Sequence, residues 1–322
     1  MNLKSRRLAP EFANLLGLIV ALGVTMLYFR QQVPTFFSAN NLELLARQTA
    51  IVAAASLGMT VIIISGGIDL SVGSVIALVT VVVAAMVQGG SSPWLAFSGG
   101  VLAAILAGAF NGLLVATLRI APFLATLGMF LIARGIAKGM AHNQKIDAPL
   151  TWMNDLLSVL PANERWKLLP PGVWITILLA VGLAVLLKTT VFGRRVFAVG
   201  VNEKAAHLNG INVSVTKICV YALGGLFVGF AGVLQFARLS VGDPTVAIGM
   251  ELDVITAVVI GGASLSGGVG SVGGTLLGAV LMSVVRMGCS QMGLDNWVRE
   301  IATGAIIVVA IAIDRLRVGR RQ

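Results

Sequence analysis

The side chains able to do chemistry are few in this sequence, and their spacing argues against catalysis. His142 and His207 are the two histidines, each in a polar stretch between apolar runs. No carboxylate pair stands beside either, so a nucleophile, a base and an orienting acid cannot be assembled around them. Cys219 and Cys289 both fall inside apolar runs, without metal-ligand spacing, and read as small packing residues. No Gly-x4-Gly-Lys-Ser/Thr occurs and no lysine follows a glycine, so a phosphate-cradling loop is excluded. Gly268, Gly270 and Gly273 satisfy Gly-x-Gly-x-x-Gly. They lie between apolar runs with no strand before them, which removes the dinucleotide reading. We therefore predict no catalytic residue, no metal site and no cofactor in this chain.

Polar groups embedded in apolar sequence say more. Asp69 stands in Gly66-Gly67-Ile68-Asp69-Leu70-Ser71-Val72-Gly73-Ser74, where glycines interrupt the helical pattern. An ionised carboxylate at the bilayer centre costs about 2.5 to 3.5 kcal/mol on insertion scales, so Asp69 must be paired, capped or wet. Either Asp69 or Ser71 caps the helix that begins near Val72, or the two line a path for a solute. Arg134 lies roughly 20 Å into its apolar run at 1.5 Å per residue. It pairs with a carbonyl of a neighbouring broken helix or meets a solute hydroxyl, and Asn111 is a milder instance of the same choice. Glu251 and Asp253 open another apolar run, where carboxylates complement a helix N-terminus. Alternatively they contact a soluble docking partner outside the cell.

The elements that must position these groups follow from composition. Of 322 residues, 57% are apolar and 11% charged, against roughly 25% charged in soluble domains. Lipid must serve as solvent for much of the surface. The formal charge is +10, yet the cations flank apolar runs and no aromatic residues interleave with them, so nucleic acid is not a partner. Runs near 20 residues, the length that crosses the hydrocarbon core, fall at about 12–29, 44–64, 73–88, 94–118, 121–140, 173–187, 218–236, 252–265, 270–288 and 298–313. The third, sixth and eighth are short, which predicts discontinuous helices. The fold class is thus an all-α membrane protein: one polytopic bundle of about ten transmembrane helices, some broken.

Charge sets the expected orientation. Lys4, Arg6 and Arg7 precede the first run, and Arg315, Arg317, Arg320 and Arg321 follow the last. Residues 1–11 and 314–322 are therefore expected in the cytoplasm, together with a loop over 188–217. A loop over 142–172, with mixed charges, faces outward. Glycine pairs at four-residue spacing, Gly108 with Gly112, Gly135 with Gly139, Gly225 with Gly229, and the series Gly270, Gly274, Gly278, predict close helix packing. A weak internal echo links 61–75 (VIIISGGIDLSVGSV) with 258–272 (VVIGGASLSGGVGSV).

Four stretches in order, 65–74 (SGGIDLSVGS), 121–128 with Arg134-Gly135 (APFLATLG and RG), 192–213 (FGRRVFAVGVNEKAAHLNGINV) and 251–268 (ELDVITAVVIGGASLSGG), resemble the permeases of ribose, xylose, arabinose and galactose ABC importers. The resemblance covers nearly the whole chain from about residue 36. It implies a bacterial inner-membrane subunit that pairs with a second permease copy or paralogue, two cytoplasmic ATPase subunits that bind ATP and Mg, and a periplasmic sugar-binding protein. It also implies a cytoplasmic coupling helix, often Glu-Ala-Ala-x3-Gly. Ala205, Ala206 and Gly210 match that pattern, Lys204 holds the acid's place, and Glu203 comes one residue early. The competing class is an ion-coupled secondary transporter, which needs several buried carboxylates where Asp69 stands alone in the spans.

Overall fold

A computed structural model describes residues 3–161, 167–295, 297–298, 300–306 and 308–309, with side chains from residue 15 onward. The helices are α1 (Leu3–Gln32), α2 (Ala39–Ile64), α3 (Val72–Gln88), α4 (Pro93–Thr117), α5 (Pro122–Met140), α6 (Trp152–Asp155), α7 (Pro171–Thr189), α8 (Val191–Val201), α9 (Glu203–Leu208), α10 (Val213–Leu239), α11 (Met250–Ile260) and α12 (Val272–Gln291). Two short strands, β1 (Ile146–Asp147) and β2 (Val241–Gly242), pair antiparallel. Helix starts follow local chemistry. Ser38, Ser92 and Ser271 accept from the amides of Asn41, Leu95 and Gly274 at the heads of α2, α4 and α12, the bond that satisfies an orphan amide.

Among the described residues, seven helices are long and apolar enough to cross a membrane: α1, from Leu15, and α2, α4, α5, α7, α10 and α12. Their bounds lie within a few residues of the runs read from sequence. The third run is α3, apolar but 17 residues long. The eighth is α11, whose 11 residues span about 16 Å at 1.5 Å per residue, half the hydrocarbon thickness. Of the ten runs, seven are helices of membrane length among the described residues, and the sixth, expected to be short, is the 19-residue α7. Part of the tenth run and the arginines from Arg315 to Arg321 fall outside the described residues.

The core forms around α2 and α10. Residues Ala50 to Ile64 of α2 are buried throughout, so this helix is apolar on every side because every side meets protein. Against α10, the glycine spacing does what it predicts. A Cβ on Gly108 would strike the backbone of Tyr221 and stand 3.1 Å from the Cα of Gly225. One on Gly229 would stand 3.0 Å from the Cα of Val101. Gly274 and Gly278 similarly meet the backbone of Gly261 and Ala257, joining α12 to α11. Gly135 and Gly139 differ, for a Cβ added at either would meet nothing within 4 Å among the described residues.

The bundle has two distinct ends. One carries α9 and α8, whose Gly200 lies against Ile64 at the end of α2 and Gly268 of the turn between α11 and α12. The other carries the β-ladder and α6. Neither long interhelical stretch is a bare loop. Residues 188–217 hold α8 and α9, while 142–172 hold β1 and α6, the latter fixed by a capping box between Thr151 and Asn154.

Candidate functional site

Two segments leave the helical ladder inside the bundle. The first, 65–71, follows α2. Gly66 turns at φ +83°, a conformation that favours glycine. At Gly67 a Cβ would lie 2.5 Å from Tyr221 Oη. Backbone released from a helix needs new partners, and helices on two sides provide them. Tyr221 Oη donates to Ile68 O at 3.4 Å, Thr126 Oγ1 donates to the same carbonyl at 3.3 Å, and Leu70 N donates to Thr126 Oγ1 at 3.1 Å.

Asp69 Oδ1 accepts from Ser71 N at 2.7 Å and Ser71 Oγ at 2.6 Å. Ser71 Oγ in turn accepts from Asn111 Nδ2 at 3.2 Å. All three residues are buried. Ser71 occupies the N-cap position of α3 but makes no side-chain cap bond, because its hydroxyl serves Asp69 and Asn111. Thus three residues chosen separately from sequence form one chain of bonds from 65–71 to α4.

The second segment, 243–249, descends beside α3. Gly242 packs against Thr80 and Ala84, whereas Ala247 reaches Gly73, about 10 Å lower along α3 at 1.5 Å per residue. Arg134, 8% exposed, fastens it. Its Nη1 donates to Pro244 O and Val246 O, each at 2.8 Å, and its Nε donates to Ser74 Oγ at 3.2 Å. One guanidinium thereby joins α5, the start of α3 and the segment that leads into α11. Its five fixed donors suit this task better than a lysine would.

That descent displaces two residues from where the sequence pointed. Glu251 and Asp253 head α11 as expected, but α11 starts inside the bundle and not at its rim. Asp253 is buried and ion-paired with Arg286 of α12. Glu251 is half-buried, accepts from Gly249 N at 3.2 Å and crowds Gly73. At the mouth of the segment, outside the long helices, Asp243 Oδ1 accepts from the amide and hydroxyl of Thr245, and its Oδ2 lies 3.4 Å from Lys145 Nζ. Burial raises this carboxyl, but the Thr245 bonds and Lys145 outweigh it and hold the group below the usual carboxylate range.

The α8–α9 surface is built differently. Asn202 accepts from Ala205 N at 3.0 Å and caps α9. Glu203 pairs with Lys217 of α10, Lys204 is exposed, and Ala206 is the buried residue of the helix. Leu208, 86% exposed, projects from it. Gly210, at φ +78°, ends the turn. Behind this surface, a Cβ on Gly200 would strike Ile64 O and stand 2.6 Å from Gly268 N, while Gly268 N donates to Ile64 O at 2.8 Å. Ile64 is the last residue of α2, so α8 rests directly on the hinge of the first broken segment.

The two segments of the sequence echo lie against each other. The N-cap serines of α3 and α12, Ser71 and Ser271, are not equivalent in it, since Ser71 matches Ser266 and Ser271 matches Ser74. The two turns meet at Gly66 and Gly267. Sequence reasoning missed Tyr221, Thr126, Ser74 and Asp243. Their signal was the same as Asn111's, a hydrogen-bonding side chain in or beside an apolar run.

Apolar helices of membrane length around internally bonded broken segments define a polytopic α-helical membrane protein. The chain belongs to the family described as the branched-chain amino acid transport system / permease component, which matches residues 41–311. It is 36% identical over 296 residues to the ribose import permease protein of Escherichia coli strain K12, covering 92% of each chain. It is 33% identical over 320 residues to the L-arabinose ABC transporter permease protein of Azospirillum brasilense, covering 97% of this chain and 91% of that one. It is also 31% identical over 325 residues to the galactose/methyl galactoside import permease protein of Escherichia coli strain K12, covering 95% of each.

Proposed function

We propose that this chain is the permease subunit of an ATP-binding cassette importer in the bacterial inner membrane, forming the translocation pathway for a monosaccharide, a ribose-like pentose or a hexose. ATP and Mg are bound by two separate cytoplasmic ATPase subunits, and a periplasmic binding protein delivers the sugar. A second copy or a paralogue completes the membrane part. The names of the relatives support the substrate class. The observation that carries the mechanism is the Gly200–Ile64–Gly268 contact, through which a push on α8 and α9 reaches the break after α2.

In this reading both termini and 188–217 are cytoplasmic. The chain then crosses ten times: the seven long helices, α3 with 65–71, α11 with 244–249, and the tenth apolar run of the sequence. Glu203, Lys204, Ala205, Ala206 and Gly210 form the coupling element. Asp69, Ser71, Asn111 and Arg134 shape the path by fixing its broken walls, since their bonds go to one another, to Ser74 and to backbone. Glu251 and Asp253 hold α11 in place, which leaves binding-protein contact to the β-ladder end.

The test is sugar uptake into proteoliposomes holding this chain, its ATPase and its binding protein. We expect uptake that requires ATP and all three components. Uptake that follows an ion gradient without the ATPase would instead establish a secondary transporter.

A further inference from the structure

A cavity of about 520 Å³ opens between α9, the end of α4 and the starts of α5 and α10. Arg119, Lys204 and Lys217 line it with Glu203, three cations against one carboxylate. Glu203 is taken up by Lys217, so Arg119 and Lys204, both exposed, keep their charge for something else. Ala121 and Pro122, which begin α5, also line the cavity. Ala121 stands at the N-cap of α5 and makes no cap bond, so the positive end of a 19-residue helix opens on the same space. Arg119 is held at φ +54°, a backbone state uncommon outside glycine that recurs at functional sites.

The rim beside these charges is apolar. Leu118 is 65%, Phe123 50% and Leu124 58% exposed, which suits acyl chains. We propose that this cavity binds the phosphate headgroup of an anionic phospholipid from the inner leaflet, with its chains along the start of α5. Basic pockets between helices on the cytoplasmic side recognise such headgroups, and a free anion would make no use of the apolar rim. A lipid seated there touches α9 and the start of α10 together, so it stiffens the coupling element from the membrane side. The leaflet rests on the orientation proposed above; the anion site itself does not.

The full-length chain in detergent is titrated with dioctanoyl phosphatidylglycerol, dioctanoyl phosphatidylcholine or inorganic phosphate, following thermal stability and bound lipid by native mass spectrometry. Phosphatidylglycerol is expected to bind and stabilise, and the other two to do neither at equal concentration. Arg119→Gln should weaken phosphatidylglycerol by roughly fivefold, the share of one cation near the surface. Arg119→Gly, which relaxes the backbone, should weaken it equally without loss of basal stability. Equal binding of phosphatidylcholine, or no change in either variant, overturns the proposal. A response to inorganic phosphate as large as to the lipid makes this a soluble-anion site and overturns the lipid assignment. In the assembled transporter, Arg119→Cys crosslinking to the ATPase would show that a protein partner fills the cavity, and that outcome would overturn the lipid assignment too.

Discussion

The broken-helix junction and the α8–α9 surface both depart from plain membrane helix, and they handle polar groups in opposite ways. At the junction, Asp69, Ser71, Asn111 and Arg134 are buried and bonded inward, to one another or to freed carbonyls. At the surface, Lys204 and Leu208 face outward and, within α9, Ala206 is the buried residue. The first arrangement holds shape, because an unpaired polar group at membrane depth is costly. The second leaves its side chains open to a partner. Substitutions in the junction should therefore cost stability, whereas those on the surface should cost transport while the fold survives.

The largest loss of stability is expected from Arg134→Ala. It strands the Pro244 and Val246 carbonyls and frees Ser74, for about 3 kcal/mol or more. Thermal unfolding of the purified chain reads this directly, and a variant as stable as the parent would remove Arg134 as the fastener. Asp69→Ala should cost about 2 kcal/mol by stranding the amide and hydroxyl of Ser71. Asp69→Asn keeps an acceptor and should recover most of that loss. Gly108→Ala, which drives a methyl group into the backbone of α10, should cost about 1 to 3 kcal/mol.

Asp243→Asn belongs lower on the scale, at about 1 kcal/mol at neutral pH, because it loses charge toward the exposed Lys145. Its folded value is depressed, so the contribution is present above the ordinary aspartate value of about 3.9 and fades as pH falls through the folded one. The parent chain and the Asn variant should then converge in acid, as a pair of pH–stability curves would display. At the bottom for stability are Glu203→Lys and Leu208→Asp, each within about 0.5 kcal/mol of the parent. Both should nevertheless cut ATP-driven uptake at least tenfold, and normal uptake in both would break the contrast between the two regions.

Much of this was legible in the sequence, and the reasons differ by element. The runs now seen as α2, α4, α5 and α10 announced themselves because lipid and a packed interior both demand unbroken apolar length. The 65–71 break was visible because glycines and an aspartate cannot continue such a run. Arg134 was visible as a charge at depth. The second break was not, since Asp243, Pro244 and Gly249 resemble an ordinary turn between spans, and only α5 and α3 pull them inward. That hidden descent is why α11 is half a span and why Glu251 and Asp253 lie deeper than their sequence context suggests. Partners such as Tyr221 and Thr126 stayed hidden because helix pairing, not local sequence, brings them to 65–71.

The orientation that makes α9 a cytoplasmic handle can be measured without any partner. In a chain with Cys219 and Cys289 replaced by serine, a cysteine is placed at Asn209, beyond α9, or at Leu150, 78% exposed near the β-ladder. A membrane-impermeant thiol reagent applied to intact cells should label the residue 150 variant and leave the residue 209 variant untouched until the cells are permeabilised. Labelling at 209 from outside, with none at 150, would put α9 on the wrong face and contradict the account.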